Sequence, residues 1–190
     1  MNFTQDWFSY NIPHLEQLVR MLPERKRFLE IGCFEGRATC WFLQHALDDD
    51  GHITCVDPFS GSMEHEQMDL SDLHRVFYEN TNETKKPEQD MRTVAQTSYL
   101  GLAGLIRNKD QFDFIYIDGD HTAPAVLTDA CMAWGLLRPQ GIMVFDDYHW
   151  RPDGYTDQQT PKLAVDVFSH IFKGQFTVVH DGYQIAIQKS

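Results

Sequence analysis

The sequence has few of the features that mark a secreted, membrane-bound or nucleic-acid-binding protein. Its four cysteines show no C-x-x-C spacing, so a zinc cluster is not expected. No apolar run approaches the length of a membrane span, and the first residues lack the basic and apolar regions of a signal peptide. The 16 basic against 28 acidic residues give a net charge of −12, which argues against nucleic acid or an anionic membrane as the main partner. These absences predict a reduced, cytoplasmic protein.

The length and composition indicate one globular domain. The chain has 190 residues, of which 42% are hydrophobic, and this is enough for a substantial core. We expect a single domain over residues 1–190, with an N-terminal helical extension over 1–27 and a lid insertion over 58–92. The lid is expected because a long polar connection in a compact domain, here from Met63 to Lys86, is more often functional than filler.

Apolar runs and amphipathic stretches alternate along the chain. Helices are expected near 13–22, 37–47, 70–78, 123–137 and 161–172, with a mobile loop after the third. Strands are expected near 28–31, 53–56, 92–96, 112–117 and 142–145, followed by a hairpin over 176–180 and 183–188. The pattern predicts an α/β fold with a doubly wound, mostly parallel Rossmann-like sheet and a C-terminal antiparallel hairpin.

The most informative stretch lies between Glu30 and Asp57. A buried strand ends at Ile31, and Gly32 and Gly36 then allow a tight turn and the close approach of a ligand to the backbone. The N-terminal amide groups of the helix that follows face that ligand. Asp57 ends the next strand about 20 residues further on, where an acidic residue accepts hydrogen bonds from a ribose diol.

The glycine spacing favours one class of nucleotide ligand. A dinucleotide site has the pattern G-x-G-x-x-G, whereas Phe34 replaces the middle glycine here and Glu30 precedes the turn. An acidic residue in that place suits a cationic ligand better than a pyrophosphate. The run Glu30-x-Gly32-x-x-x-Gly36 resembles motif I of the class I S-adenosylmethionine (SAM) methyltransferases. The resemblance implies that Glu30 lies near the methionine end of SAM and that both glycines line the cofactor. The alternative is an ordinary glycine turn without a ligand.

Carboxylates follow two other strands that end at the same edge of the expected sheet. Asp118 follows the fourth strand, and Asp146 and Asp147 follow the fifth. Because these strand ends converge in a doubly wound sheet, their like charges would repel and raise a pKa. A hard divalent cation such as Mg²⁺, Ca²⁺ or Mn²⁺ would relieve the repulsion. The alternative is that these aspartates cap helices or are solvated at the strand ends. For Asp120 this alternative is preferred.

A fuller resemblance covers the chain from about residue 28 to residue 188. The runs over 112–121, 136–141 and 145–148 are similar to the small class I methyltransferases grouped with macrocin O-methyltransferase, and the metal site is similar to that of catechol-type methyltransferases. The family implies a seven-stranded SAM fold and Mg²⁺-dependent (or Mn²⁺-dependent) transfer of a methyl group to a hydroxyl. By this resemblance Asp118, Asp146 and Asp147 are metal ligands, His121 is the general base and Ser98 contacts the adenine, with Asp118 also counted among the cofactor-binding residues.

The chain departs from that family in two places. Thr97 stands where many SAM enzymes have an acidic residue near the adenine, and the N-terminal extension is short. The acceptor is therefore expected only as a small molecule with a hydroxyl group, such as a sugar or a catechol, bound by a monomer or a homo-oligomer. His149 competes with His121 for the role of base. Trp150 and Tyr148 are expected to pack either on the substrate or on the core.

Three other functions use parts of the same pattern. A metallohydrolase would use the aspartates and His121 to activate water, but it would not need the stretch from Glu30 to Asp57. A non-catalytic SAM-binding module would keep that stretch and dispense with His121 and the metal. A nicotinamide enzyme is the weakest alternative, because the middle glycine is missing.

Overall fold

The computed structural model describes residues 1–62, 65 and 67–190. Within this part of the chain a seven-stranded sheet has the order β3-β2-β1-β4-β5-β7-β6. Its first five strands are parallel, and β7 pairs antiparallel with both β5 and β6. This arrangement confirms the predicted fold class. The strands are β1 (Arg27–Ile31), β2 (His52–Val56), β3 (Asp90–Val94), β4 (Phe112–Ile117), β5 (Leu137–Phe145), β6 (Phe176–Asp181) and β7 (Ile185–Lys189).

Helices cover both faces of the sheet. Their bounds are α1 (Ile12–Met21), α2 (Arg37–Trp41), α3 (Leu73–Thr84), α4 (Ser98–Asn108), α5 (Ala123–Trp134) and α6 (Pro161–Ile171). A π-helix over Phe42–Ala46 directly continues α2. No helix in the described ranges is long and apolar enough to cross a membrane.

The core has two layers because side chains alternate along the buried central strands. On one face, Phe28 and Phe114 pack with the helices α1 and α2. On the other face, Leu29 and Ile115 pack with α4, α5 and α6. All residues of β4 are buried, as the mostly apolar sequence of that strand predicts.

Helix α4 is the element that the sequence pattern missed. Gly101 and Gly104 lower its helix propensity, and several of its apolar side chains are exposed. Tertiary packing decides in favour of the helix. A Cβ added to Gly101 would come within 2.5 Å of a Val56 methyl carbon, so the glycine lets α4 approach β2 closely. Ser98 is the first residue of this helix.

The expected mobile loop near residues 79–91 is also wrong. Helix α3 continues to Thr84, and a short turn then leads into β3. The buried side chain of Gln89 fixes that turn, because its Nε2 donates to the carbonyl oxygens of Leu43 at 2.8 Å and Asp48 at 3.1 Å. Such long-range side-chain contacts leave no periodic signal in the sequence.

Other boundaries moved by several residues. Strand β5 begins at Leu137 because an irregular stretch through Pro139 still pairs with β4 before the regular register resumes at Ile142. Helix α5 accordingly ends at Trp134.

The sheet reverses its strand order between β1 and β4, and ligands of such sheets bind above that point.

Candidate active site

A cavity of about 590 Å³ opens at the carboxyl ends of the strands, above β1 and β4. Its size suits a small-molecule site. Two groups of residues line it. The glycine wall consists of Glu30, Gly32, Cys33, Phe34 and Asp57, and the acid wall consists of Asp118, His121, Asp146 and Asp147. Ser98 also lines the cavity. The predicted site residues thus share one space, with the exception of Gly36.

The carboxylate of Asp57 organises the glycine wall. Its Oδ2 accepts hydrogen bonds from the backbone amides of Cys33 at 2.6 Å and Phe34 at 3.0 Å, and its Oδ1 accepts one from Phe59 at 2.6 Å. Asp57 follows β2 and is nearly buried. One carboxylate thus ties the turn after β1 to the turn after β2, a structural role that the sequence did not predict.

The two glycines have different tasks. Both have a left-handed backbone, with φ of +82° at Gly32 and +84° at Gly36. A Cβ on Gly32 would overlap the carbonyl group of Asp118, so this glycine is needed where β1 and β4 diverge. A Cβ on Gly36 would lie 2.9 Å from the Phe77 ring and 3.0 Å from Thr81. Gly36 thus packs against α3 and is not among the residues that line the cavity, and its expected contact with a cofactor stays a prediction.

Glu30 is a buried acid on the floor of the cavity. Its Oε2 accepts a hydrogen bond from the Thr39 hydroxyl at 2.6 Å, whereas Oε1 has no partner among the described residues. Burial raises the pKa of this carboxyl well above its usual range, and the bond from Thr39 only partly offsets the effect. A buried carboxyl with an open oxygen can receive a cationic or hydrogen-bond-donating group of a ligand.

The N-terminal segment, residues 1–11, forms part of the cavity that the sequence did not predict. The amide and hydroxyl of Thr4 donate to the Glu35 carboxylate, both at 2.7 Å, and Arg37 Nε donates to the Gln5 carbonyl at 2.9 Å. These bonds hold Gln5, Trp7, Phe8 and Tyr10 against the site. The aromatic residues clustered at 3–10 were the available signal.

The acid wall brings together groups from two strand ends. The Nε2 of His121 lies 3.5 Å from Asp118 Oδ1 and 3.2 Å from Asp147 Oδ2. Donor atoms of these three residues all lie within 4.8 Å of one another. Burial and the charge of Asp146 raise the pKa of Asp118 well above its usual range. The two carboxylates could hold a divalent cation, which would offset the repulsion between the acids, and the imidazole lies beside them.

Asp146 lies directly behind this group in a different environment. Its carboxylate accepts hydrogen bonds from Gln184, Tyr116 and the Asp147 amide, and Asn11 Nδ2 lies 3.4 Å from both of its oxygens. Burial and the charge of Asp147 raise its pKa to about 6. Asp120 instead accepts a bond from the Thr122 amide at 2.8 Å, as expected of a loop cap.

Aromatic side chains border the acid wall. The Trp150 ring packs on His121 with a centroid distance of 4.9 Å, and the rings of Tyr10 and Tyr183 meet edge to face at 5.8 Å. Burial and the nearby acids raise the pKa of both tyrosines. Tyr148 turns away from the cavity, and its hydroxyl donates to Asp166 at 2.8 Å. Of the two aromatic residues expected near the substrate, only Trp150 lines the site.

Comparison with known proteins identifies the family. The chain belongs to the methyltransferase family, because a family model described as a methyltransferase domain matches residues 29–148. No curated protein sequence matches the chain. The predicted membership of a methyltransferase family is therefore confirmed.

Solved structures share the fold over nearly the whole chain. An O-methyltransferase from Bacillus cereus, in complex with SAH, has a TM-score of 0.68 and 20% identity, with 98% of this chain and 84% of that chain covered. TomG from Streptomyces achromogenes, an O-methyltransferase of tomaymycin synthesis in complex with SAM, has a TM-score of 0.66 and 19% identity, with 95% and 79% covered.

A larger enzyme shares the same fold. The MycE methyltransferase of the mycinamycin biosynthetic pathway, in complex with Mg and SAH, has a TM-score of 0.62 and 18% identity, with 98% of this chain and 51% of that chain covered. This chain therefore corresponds to about half of MycE.

Proposed function

We propose that the protein is a SAM-dependent O-methyltransferase that methylates a hydroxyl group of a small molecule, such as a sugar, a catechol or a related natural product, with Mg²⁺ or Mn²⁺ at the acid wall. One observation carries the proposal. One cavity is lined both by the glycine wall of a methyltransferase-family domain and by a compact group of Asp118, His121 and Asp147. Donor and acceptor can therefore meet in one space.

The glycine wall binds and orients SAM in this proposal. The open Oε1 of Glu30 accepts a hydrogen bond from the amino group at the methionine end. Asp57, already fixed by three backbone amides, uses its remaining acceptor capacity for the ribose diol. Ser98, at the start of α4, lies on the adenine side with Thr97. Asp118, whose backbone lies directly beside Gly32, also borders the cofactor site.

The acid wall binds and activates the acceptor. Asp118 and Asp147 would hold the cation, with Asp146 as the third candidate ligand, and a cation bound there supplies Lewis acidity toward the acceptor hydroxyl. His121 Nε2 receives the proton of that hydroxyl, because it lies between the two carboxylates at the cavity. The positive charge that the imidazole then carries is stabilised by both acids.

The segment over residues 58–62 and the N-terminal segment exclude water from the reaction. Trp7 packs on Phe34 at 5.4 Å and on His65 at 5.7 Å, so the N-terminal segment contacts both the glycine wall and His65 of the connection after β2. Within the predicted lid insertion over 58–92, residues 63, 64 and 66 lie outside the described residues. Closure over bound ligands aligns donor and acceptor and keeps water from the methyl group.

Relatives with the same fold give further support. One is an O-methyltransferase in complex with SAH, and MycE is in complex with Mg and SAH. These ligands agree with the chemistry of the two walls, namely a nucleoside beside Asp57 and a divalent cation beside Asp118 and Asp147.

Calorimetry and a methyl-transfer screen test the proposal. We expect SAM and its demethylated product to bind, Mg²⁺ or Mn²⁺ to bind, and methyl transfer to hydroxylated acceptors to stop in excess chelator and return on adding the metal. Binding of NADH without SAM would contradict the cofactor assignment. SAM binding without turnover on catechols, sugars and other hydroxylated molecules would favour a binding module, and hydrolysis without SAM would favour a metallohydrolase. Full turnover in chelator would remove the metal from the proposal.

A further inference from the structure

Asp146 is a carboxylate held almost out of solvent. Only 6% of its surface is exposed, although it lies at the end of a strand beside a cavity. Removing a charged group from water is costly unless donors replace the water, and four groups of the chain face this carboxylate. Gln184 Nε2 donates to Oδ1 at 2.9 Å, the Tyr116 hydroxyl donates to Oδ2, Asn11 Nδ2 lies 3.4 Å from both oxygens, and the Asp147 amide donates to Oδ1 at 2.8 Å.

The three side-chain donors come from distant parts of the sequence. Asn11 precedes α1, Tyr116 lies on β4, and Gln184 precedes β7. Their exposed fractions are 1%, 0% and 1%. Three polar side chains have thus been buried at one carboxylate, and each is costly to bury without a bond.

The side-chain amide of Gln184 is only half satisfied by its contacts with Asp146 and Tyr116. Its Nε2 donates both to Asp146 and, at 3.0 Å, to the Tyr116 hydroxyl oxygen. Its Oε1, however, is buried without a partner within the described ranges. An unpaired buried carbonyl oxygen is unfavourable. Gln184 therefore binds the Asp146 carboxylate although its own Oε1 stays unsatisfied.

Asp146 in turn holds the backbone of Asp147. The bond from the Asp147 amide to Asp146 Oδ1 joins neighbouring residues, and Asp147 has a left-handed φ of +55°. That conformation is uncommon outside glycine and needs support from its surroundings. It places Asp147 Oδ2 at 3.2 Å from His121 Nε2. A change in the direction of the Asp146 carboxylate would therefore move Asp147 relative to His121.

We propose that Asn11, Tyr116 and Gln184 are positioning residues of the acid wall. They fix Asp146, and Asp146 fixes the backbone and side-chain direction of Asp147 toward His121 and the cation. This inference rests on the proposed function. It gives the N-terminal segment and the C-terminal hairpin a role in metal binding and turnover, in addition to packing.

The test compares two glutamines of the C-terminal hairpin. Gln184→Met removes both donor bonds at nearly constant volume. Gln188→Met is the matched control, because Gln188 lies in β7 and its Nε2 donates to the Gln140 carbonyl at 3.0 Å, away from the cavity. Tyr116→Phe is a second variant that keeps the buried ring and removes only the hydroxyl. Calorimetry measures Mn²⁺ and SAM binding to each protein, and kinetics separate kcat from the KM for SAM.

We expect Gln184→Met and Tyr116→Phe to weaken Mn²⁺ binding and lower kcat by about 10- to 100-fold, the usual effect of removing support for metal ligands. SAM affinity and the KM for SAM should stay near the wild-type values, and Gln188→Met should behave as wild type. If the two variants lose thermal stability but bind Mn²⁺ and turn over normally, the three residues are merely structural and the inference is wrong. A wild-type protein that binds SAM but not Mn²⁺ overturns the metal part of the proposed function, and the inference with it.

Discussion

The glycine wall and the acid wall face the same cavity but are assembled in opposite ways. The glycine wall comes from one continuous stretch between Glu30 and Asp57, and its main hydrogen bonds join residues of neighbouring turns. The acid wall collects its groups from the ends of β4 and β5, and its support comes from Asn11 and Gln184 near opposite ends of the chain.

This difference separates two kinds of site. A ligand held by a local turn and its backbone amides depends mainly on glycines at fixed positions and on one acidic residue. A short sequence motif is enough to predict such a site. A reactive group held by residues from four parts of the chain depends on the whole domain, because each support must arrive by tertiary packing. We therefore expect changes in the glycine wall to act on SAM affinity and changes in the acid wall to act on turnover.

The largest effect is expected for His121→Ala. Loss of a general base should lower kcat by about 10²- to 10⁴-fold while SAM affinity stays nearly intact. Steady-state kinetics and calorimetry measure the two quantities. His149→Ala is the control, since His149 is exposed and should leave both unchanged. Normal turnover of His121→Ala, or a loss explained entirely by failed SAM binding, would remove the base assignment and the division between the walls.

A second prediction concerns Asp57 in the glycine wall. Asp57→Asn removes a charged acceptor for the ribose and for backbone amides, so SAM should bind more weakly by about 1.5–3 kcal/mol, or roughly 10- to 150-fold. At saturating SAM, kcat should change little. Asp113→Asn is the matched control, because Asp113 also accepts from two backbone amides, those of Lys26 and Arg27, but lies outside the cavity lining. Equal loss of SAM affinity in both variants would mean that Asp57 acts only through stability.

A third prediction concerns the pH dependence of stability near the cavity, outside both walls. Asp129 on α5 lies under the cavity, near Ser98 and Gly119, and burial raises its pKa from 3.8 to about 6. Because the folded state binds this proton more tightly, the contribution to stability is full below about pH 4 and is lost as pH rises through about 6.

Asp129→Asn lacks this titration. Its free energy of unfolding relative to wild type should therefore rise by about 2 kcal/mol between pH 4.5 and pH 7. Urea unfolding at several pH values measures the difference. Parallel curves for the two proteins would show that Asp129 does not titrate with a raised pKa.

The smallest effect is expected at the aromatic border. Trp150 lines the cavity and packs on His121, so Trp150→Ala should lower kcat/KM for the acceptor by about 2- to 10-fold. Tyr148→Ala should not, because its hydroxyl bonds to Asp166 and Lys162 outside the site. Equal effects in the two variants would argue that Trp150 serves only to pack the core.

Much of the fold could be predicted because local patterns and burial agree. For the apolar run of β4 and the acidic glycine turn after β1, the local sequence pattern and the folded structure agree. The prediction of the family and of the sheet rested on these two elements. The failures have a common cause. Helix α4 with its two glycines depends on close contact with β2, and the turn fixed by Gln89 depends on contact with the π-helix that continues α2. No periodicity in the sequence records these contacts.

The sequence by itself determined the αβ order, the glycine turn, the aspartates at the strand ends and the histidine three residues past Asp118, since these depend on the type and spacing of neighbouring residues. Only the tertiary structure decided that Gly36 serves α3, that Trp7, Tyr10 and Tyr183 border the cavity, and that Asp146 is held by Asn11, Tyr116 and Gln184. The physical reason is that a buried charge must be satisfied by hydrogen-bond donors. The fold supplies these donors from residues that are distant in the sequence.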